Sequence, residues 1–109
     1  MLNNFKIEDK DQAEIYIKEW KIGIELIVAI CDSELLGKKF SEGKLTIDIR
    51  DSFYGNTKAS LKYGLERLKK ATIANIVGEK IVGAAINEGL ISRESVIFIG
   101  GIPHAQVIK

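Results

Sequence analysis

Ile24-Glu25-Leu26-Ile27-Val28-Ala29-Ile30-Cys31 is a nearly continuous apolar run of strand length. A strand with this composition is covered on both faces, so the run is assigned to the centre of a sheet. Upstream, Ile15-Tyr16-Ile17-Lys18-Glu19-Trp20 is rich in β-branched and aromatic residues, and Lys21-Ile22-Gly23 makes a short turn. Together the two runs predict a hairpin. Downstream, Asp32 to Gly37 suits one helical turn, with Asp32 as its cap and Gly37 at its end. Lys44-Leu45-Thr46-Ile47-Asp48-Ile49-Arg50 alternates apolar and polar residues, which predicts a half-buried strand. Asp51 to Asn56 is a turn-rich connector carrying Phe53 and Tyr54.

Two helical segments are expected next. The first spans about 58–71, with Leu61, Leu65, Leu68 and Thr72 at helical spacing. Lys58, Lys62 and Lys69 would border that stripe as a basic edge, and Gly64 would allow a close contact. The second spans 71–88, where Ile73, Ile76, Val77, Ile81, Ala84 and Ala85 approximate the helical period. Within it Ala74 and Gly78 form a small-residue pair, although Gly78 could equally break the segment in two. Short strands at 96–99 and 105–108, joined through Gly100-Gly101, complete the chain. The order predicts one compact α+β domain over 14–109: a mixed or antiparallel sheet of about five strands, with two to three helices on one face. Residues 1–13 are expected to be a polar extension.

The chain has 109 residues, with one Cys and one His. One of each cannot build a closed Cys/His zinc site or an internal disulfide, so no metal is expected. The lack of an 18-residue apolar run excludes a transmembrane helix, and Met1 to Asp11 lacks the pattern of a signal peptide. A cytoplasmic location and a free Cys31 thiol are therefore expected. The net charge is only +1, but it is unevenly spread. Residues 1–34 carry four Lys against eight acids, and residues 35–70 carry nine Lys/Arg against four. A basic middle third is a candidate anion-facing surface, and equally a solvated helix face.

Three places could carry chemistry. Cys31-Asp32 ends the central strand, where active-site groups often sit; a buried Cys beside a capping Asp is the plainer account. In Gly100-Gly101-Ile102-Pro103-His104, the glycines permit close approach and Pro103 stiffens the backbone before the only imidazole. His104 could serve as a base or anion contact there, or simply satisfy a carbonyl. Asn75 is a poor mid-helix residue, so it marks a junction, a cap or a contact. Nucleotide-binding motifs of the G-x-x-x-x-G-K-[ST] and G-x-G-x-x-G types are absent, and no cofactor is expected.

Four segments, in order, resemble the DUF424 family: Val28-Ala29-Ile30-Cys31-Asp32-Ser33-Glu34-Leu35-Leu36-Gly37-Lys38-Lys39-Phe40, Phe53-Tyr54-Gly55, Ala71-Thr72-Ile73-Ala74-Asn75-Ile76-Val77-Gly78-Glu79, and Gly101-Ile102-Pro103-His104-Ala105-Gln106-Val107. Asn56 departs from the pattern, standing where a second Gly is expected. The resemblance implies an archaeal cytoplasmic protein of α+β fold, linked to translation, and supplies no activity. It marks Cys31, Asp32, Gly37, Lys38, Tyr54, Asn75, Gly78, Pro103 and His104 as a shared surface.

Three functions are compatible with these residues. The first is a non-enzymatic RNA- or ribosome-associated protein using Lys38, Lys39, Arg50, Lys58, Lys62 and Lys69. The second is an enzyme or small-ligand binder, in which Cys31, Asp32, Asn75 and His104 converge on one pocket. The third is a protein-interaction or oligomer module using strand edges and the Ala74/Gly78 surface.

Overall fold

The computed structural model describes residues 14–109; the proposed extension, 1–13, lies outside the described residues. Strands β1 (Ile15–Ile22) and β2 (Glu25–Asp32) form the expected hairpin. Its turn falls at Gly23-Ile24, where Gly23 takes the left-handed region at φ +59°. The central position of β2 follows from its composition. It pairs antiparallel with β1 on one side and parallel with β6 (Ile73–Val77) on the other.

The main sheet has six strands rather than five. Its order is β5-β1-β2-β6-β8-β7, with β5 at Thr57–Ala59, β7 at Ile97–Ile99 and β8 at Ile102–Ile108. A separate two-stranded hairpin pairs β3 (Lys39–Glu42) with β4 (Leu45–Asp48). The helices are α1 (Asp51–Tyr54), α2 (Leu61–Lys70) and α3 (Glu79–Asn87). Single 3-10 turns occupy Ser33–Leu35 and Arg93–Ser95.

Four sequence-based assignments change. Residues 71–88 are not one helix: β6 occupies the first part, and Gly78 breaks the segment before α3. A five-residue segment with four apolar residues cannot be told from a buried helix by periodicity alone. Ala74 and Gly78 are both buried, so they form no docking surface. Lys58 stands on β5 rather than on α2. The alternation at 44–50 belongs to a separate two-stranded hairpin: Leu45 is 54% exposed, Ile47 packs on the second-face core, and Ile49, just past β4, is fully buried.

Both faces of the sheet are covered, unequally. On the first face, Ile15, Ile17, Val28, Ile30, Ala74, Ile76 and Ala105 pack against Leu68 of α2 and Ile81, Val82 and Ala85 of α3. Gly64 provides the expected close contact, since a Cβ there would lie 2.5 Å from Ile15 Cδ1. On the second face, Ala29, Cys31 and Val77 lie beneath Leu35, Ile49 and Tyr54. The helices are therefore not all on one face: α2 and α3 share the first, and the short α1 lies on the second.

Candidate functional site

Strand register arranges the second face into rows. Paired Cα positions give Tyr16, Cys31, Val77 and His104 in one row, and Lys18, Ala29, Asn75 and Gln106 in the next. Trp20, Ile27, Ile73 and Ile108 form the third. The first row is roofed at Cys31 and Val77. The third is open at its β8 end, with Ile108 78% exposed. At its other end the Trp20 ring lies 5.4 Å from the ring of Phe53. Lys18 Nζ stands 5.1 Å from the Trp20 ring centroid and donates to Ser52 O at 3.0 Å.

A polar chain crosses the boundary between the roofed and open parts. Tyr54 Oη donates to Asn75 Oδ1 at 2.7 Å, and His104 Nε2 lies 3.0 Å from the same oxygen. An amide oxygen only accepts, so Nε2 carries the ring hydrogen and Nδ1 keeps its lone pair. Burial pushes the His104 imidazole below its usual value, which favours this neutral form. Burial, reinforced by neighbouring Cys31, pushes the Tyr54 phenol up. The phenol therefore stays a donor. Asn75 lies in the middle of β6 rather than at a helix junction, and its side chain ties α1 to β8.

Cys31 is fully buried, and its thiol is pushed up to about 12, first by burial and then by Asp32 and Glu34. The thiolate is the nucleophilic form, so the native thiol is held in its unreactive state. Ellman's reagent at pH 8 should leave Cys31 unmodified in the folded protein and react fully in urea. Stoichiometric labelling of the native protein would contradict this burial.

Asp32 points to the opposite face. Its pairing with Ile15 places it on the α2/α3 side, where Oδ2 accepts from Lys80 N at 2.8 Å and Oδ1 from Ile81 N at 3.0 Å. The expected cap on its own turn is not made; that turn has no side-chain cap. Asp32 instead caps α3, whose preceding Gly78 has no side chain to do so. Burial raises the Asp32 carboxyl, and the two N–H bonds partly offset that rise.

The second-face cluster and Asp32 therefore do not share one pocket. Asp32 lines a cleft of about 180 Å³ with Glu34, Glu79 and Lys80. Tyr54 and Asn75, on the other side of the sheet, are absent from that lining. Pro103 is buried in β8, and its carbonyl accepts from Gly78 N at 2.9 Å. Gly37 turns the chain at φ +88° and bonds Ile49 O through its N–H. No cluster of three or more His, Cys, Asp or Glu side chains that could hold a metal exists among the described residues. No helix among them is long and apolar enough to cross a membrane.

The six basic candidates are all exposed but do not make one stripe. Lys58 is opposite Tyr16 in register, and its Nζ lies 5.7 Å from that ring, which puts it on the second face. Lys62 and Lys69 ride on α2, on the first face. Lys69 is also paired with Glu88 at 3.4 Å, and Arg50 with Asp48 at 2.7 Å. Lys38 precedes β3 and Lys39 opens it. Composition did not single out Trp20, Phe53 or Ile108. A lone Trp in an alternating strand beside two basic residues was the available signal.

These features define a small α+β domain: a six-stranded mixed sheet, two helices on one face, and a half-open second face. Its family model match, described as "Protein of unknown function (DUF424)", spans residues 21–109. The chain belongs to the DUF424 family. The fold is similar to the crystal structure of an uncharacterized conserved protein from Methanopyrus kandleri, with a TM-score of 0.72 and 22% identity over 85% of this chain and 89% of that one. None of the curated proteins matches this chain.

Proposed function

We propose that the chain is a non-enzymatic binding protein that takes single-stranded RNA on the open half of its second face, in keeping with a translation-linked role. The observation that carries this reading is the row of Trp20 with Phe53 against it and Lys18 over the Trp20 ring, with Lys58 farther along the same face over Tyr16. Single strands are held by stacking of bases on aromatic rings, with cations tracking the phosphates. The adjoining row supplies Asn75 and Gln106, and the row beyond it His104; these groups can bond to base edges. Lys62 and Lys69, on the other face, contribute little here. The overall charge of +1 is no obstacle, because the cations involved are local to the face.

Trp20 is the only tryptophan, so its fluorescence reports directly on the face. An oligouridine titration at low salt should quench it. Trp20→Ala or Phe53→Ala should weaken binding by about 1–3 kcal/mol per stacked base. Lys58→Ala should flatten the log–log salt slope by about 0.7. Absence of binding at low salt, or binding indifferent to salt, would sink the proposal.

A further inference from the structure

Tyr54 is buried, and its hydroxyl makes one hydrogen bond among the described residues, to Asn75 Oδ1. That bond fixes more than the place of α1. If the Asn75 amide turned round, Nδ2 would face both the phenol and the imidazole. The phenol oxygen would accept from it, but the phenolic hydrogen would then have no acceptor. An orphaned buried donor is costly enough to make the turned amide about one to two orders of magnitude rarer. Oδ1 therefore stays towards Tyr54, His104 donates to it through Nε2, and the imidazole lone pair is left at Nδ1.

Two polar atoms are then spare. Asn75 Nδ2 carries two hydrogens and His104 Nδ1 a lone pair, and neither has a partner among the described residues. No buried side-chain nitrogen or oxygen among those residues lacks a hydrogen bond, so both atoms reach solvent. They belong to groups joined by one 3.0 Å bond, which keeps them within reach of one planar ligand. Gln106 adds an exposed third group. Gly78 N donates to Pro103 O at one end of the β6–β8 ladder, and Lys109 N to Thr72 O at the other. Hydrogen-bonded pairs alternate between these ends, which leaves Asn75 and Gln106 a non-hydrogen-bonded pair, where side chains lie closest. The tie between α1 and β8 needs only Oδ1. The outward donor and acceptor are not used by the fold.

We infer that Asn75 and His104 read the edge of one unpaired nucleobase, with Nδ2 donating and Nδ1 accepting, and that Tyr54 is the positioning residue that sets this polarity. The inference rests on the RNA reading of this face and names the part of the strand that the cluster takes. Every neutral base has a matching edge: a carbonyl oxygen beside a ring N–H in uracil and guanine, a ring nitrogen beside an amino group in adenine and cytosine. A phosphate or carboxylate offers acceptors only, and would set a lone pair against that of Nδ1. In a duplex the pairing edges are already bonded. The cluster therefore favours bases over phosphates, and single strands over duplex, while the aromatic rings beside it stack.

Oligouridine and its N3-methylated form, each titrated against Trp20 fluorescence at pH 8 and low salt, isolate this edge. Methylation keeps the ring and the phosphates and removes the N3–H hydrogen. The methylated strand should bind about tenfold more weakly. His104→Ala should bring the two strands to equal affinity, with circular dichroism unchanged. The part played by Tyr54 is read separately, from the nitrogen chemical shifts of the imidazole. Wild-type protein at pH 8 should show the Nε2–H tautomer alone. Tyr54→Phe removes the reason for one amide orientation, and should show a mixture with the Nδ1–H tautomer. Equal binding of the two strands to wild-type protein would overturn the inference and leave the RNA reading standing. Failure of both strands to bind would remove the RNA reading, and the inference with it. A tautomer mixture in wild-type protein, or a Tyr54→Phe imidazole still wholly Nε2–H, would overturn the role given to Tyr54.

Discussion

Asp32→Ala is expected to destabilise the fold by about 3–5 kcal/mol in urea unfolding, with an unchanged denaturant slope. Removing the carboxylate strands two main-chain donors at the start of α3, Lys80 N and Ile81 N. Hydrogen bonds to a charged acceptor contribute about 1.5–3 kcal/mol each, and an orphaned buried donor costs about 1–3 kcal/mol. The Lys80–Glu34 pair nearby, at 3.7 Å and about half exposed on both sides, is too solvated to compensate. Asp32→Asn should fall between wild type and Ala. One oxygen still accepts, while the amide nitrogen meets the second N–H donor to donor. If Asp32→Ala unfolded at the wild-type midpoint, its carboxylate would not be holding α3.

Gly78→Ala should cost at least about 4 kcal/mol, for two separable reasons. Gly78 sits at φ +120°, ψ 152°, a region that residues with a Cβ avoid. A Cβ would also lie 2.2 Å from Asp32 Cγ and 2.5 Å from its Oδ2. The carboxylate would have to abandon α3 to admit it. The two substitutions must therefore couple. In an Asp32→Ala background, Gly78→Ala should cost only the backbone strain, about 1–3 kcal/mol. Simple additivity of the two losses would show that the glycine does not make room for the carboxylate.

This interlock shows where sequence reading runs out. Asp32 was legible as a helix cap, because an Asp at a strand end before a polar turn suits that role. Which helix it caps was not, since α3 begins 47 residues later. Gly78 was legible as a possible break. Its reason, the bulk of Asp32 on the neighbouring parallel strand, appears only when β2 and β6 lie side by side. The functional face was harder still. Asn75 and His104 stood out singly by residue type, but their shared oxygen and their link to Tyr54 depend on the β6–β8 register. The basic helix edge dissolved because Lys58 belongs to β5, and a three-residue strand carries too short a pattern to read.

Composition and local pattern alone determined the buried central strand, its hairpin with β1, α2, the glycine turns and the family resemblance. Each rests on residues close together in the chain, where periodicity and backbone preference act directly. Tertiary structure alone decided that 73–77 is a strand. Five residues are too few to separate a strand period from a helical one, and the segment's hydrogen-bond partner, β2, lies more than forty residues earlier. It also decided that Cys31 and Asp32, adjacent in sequence, serve opposite faces. Successive side chains of a strand alternate, so one was packed beneath Tyr54 and the other delivered to the start of a helix.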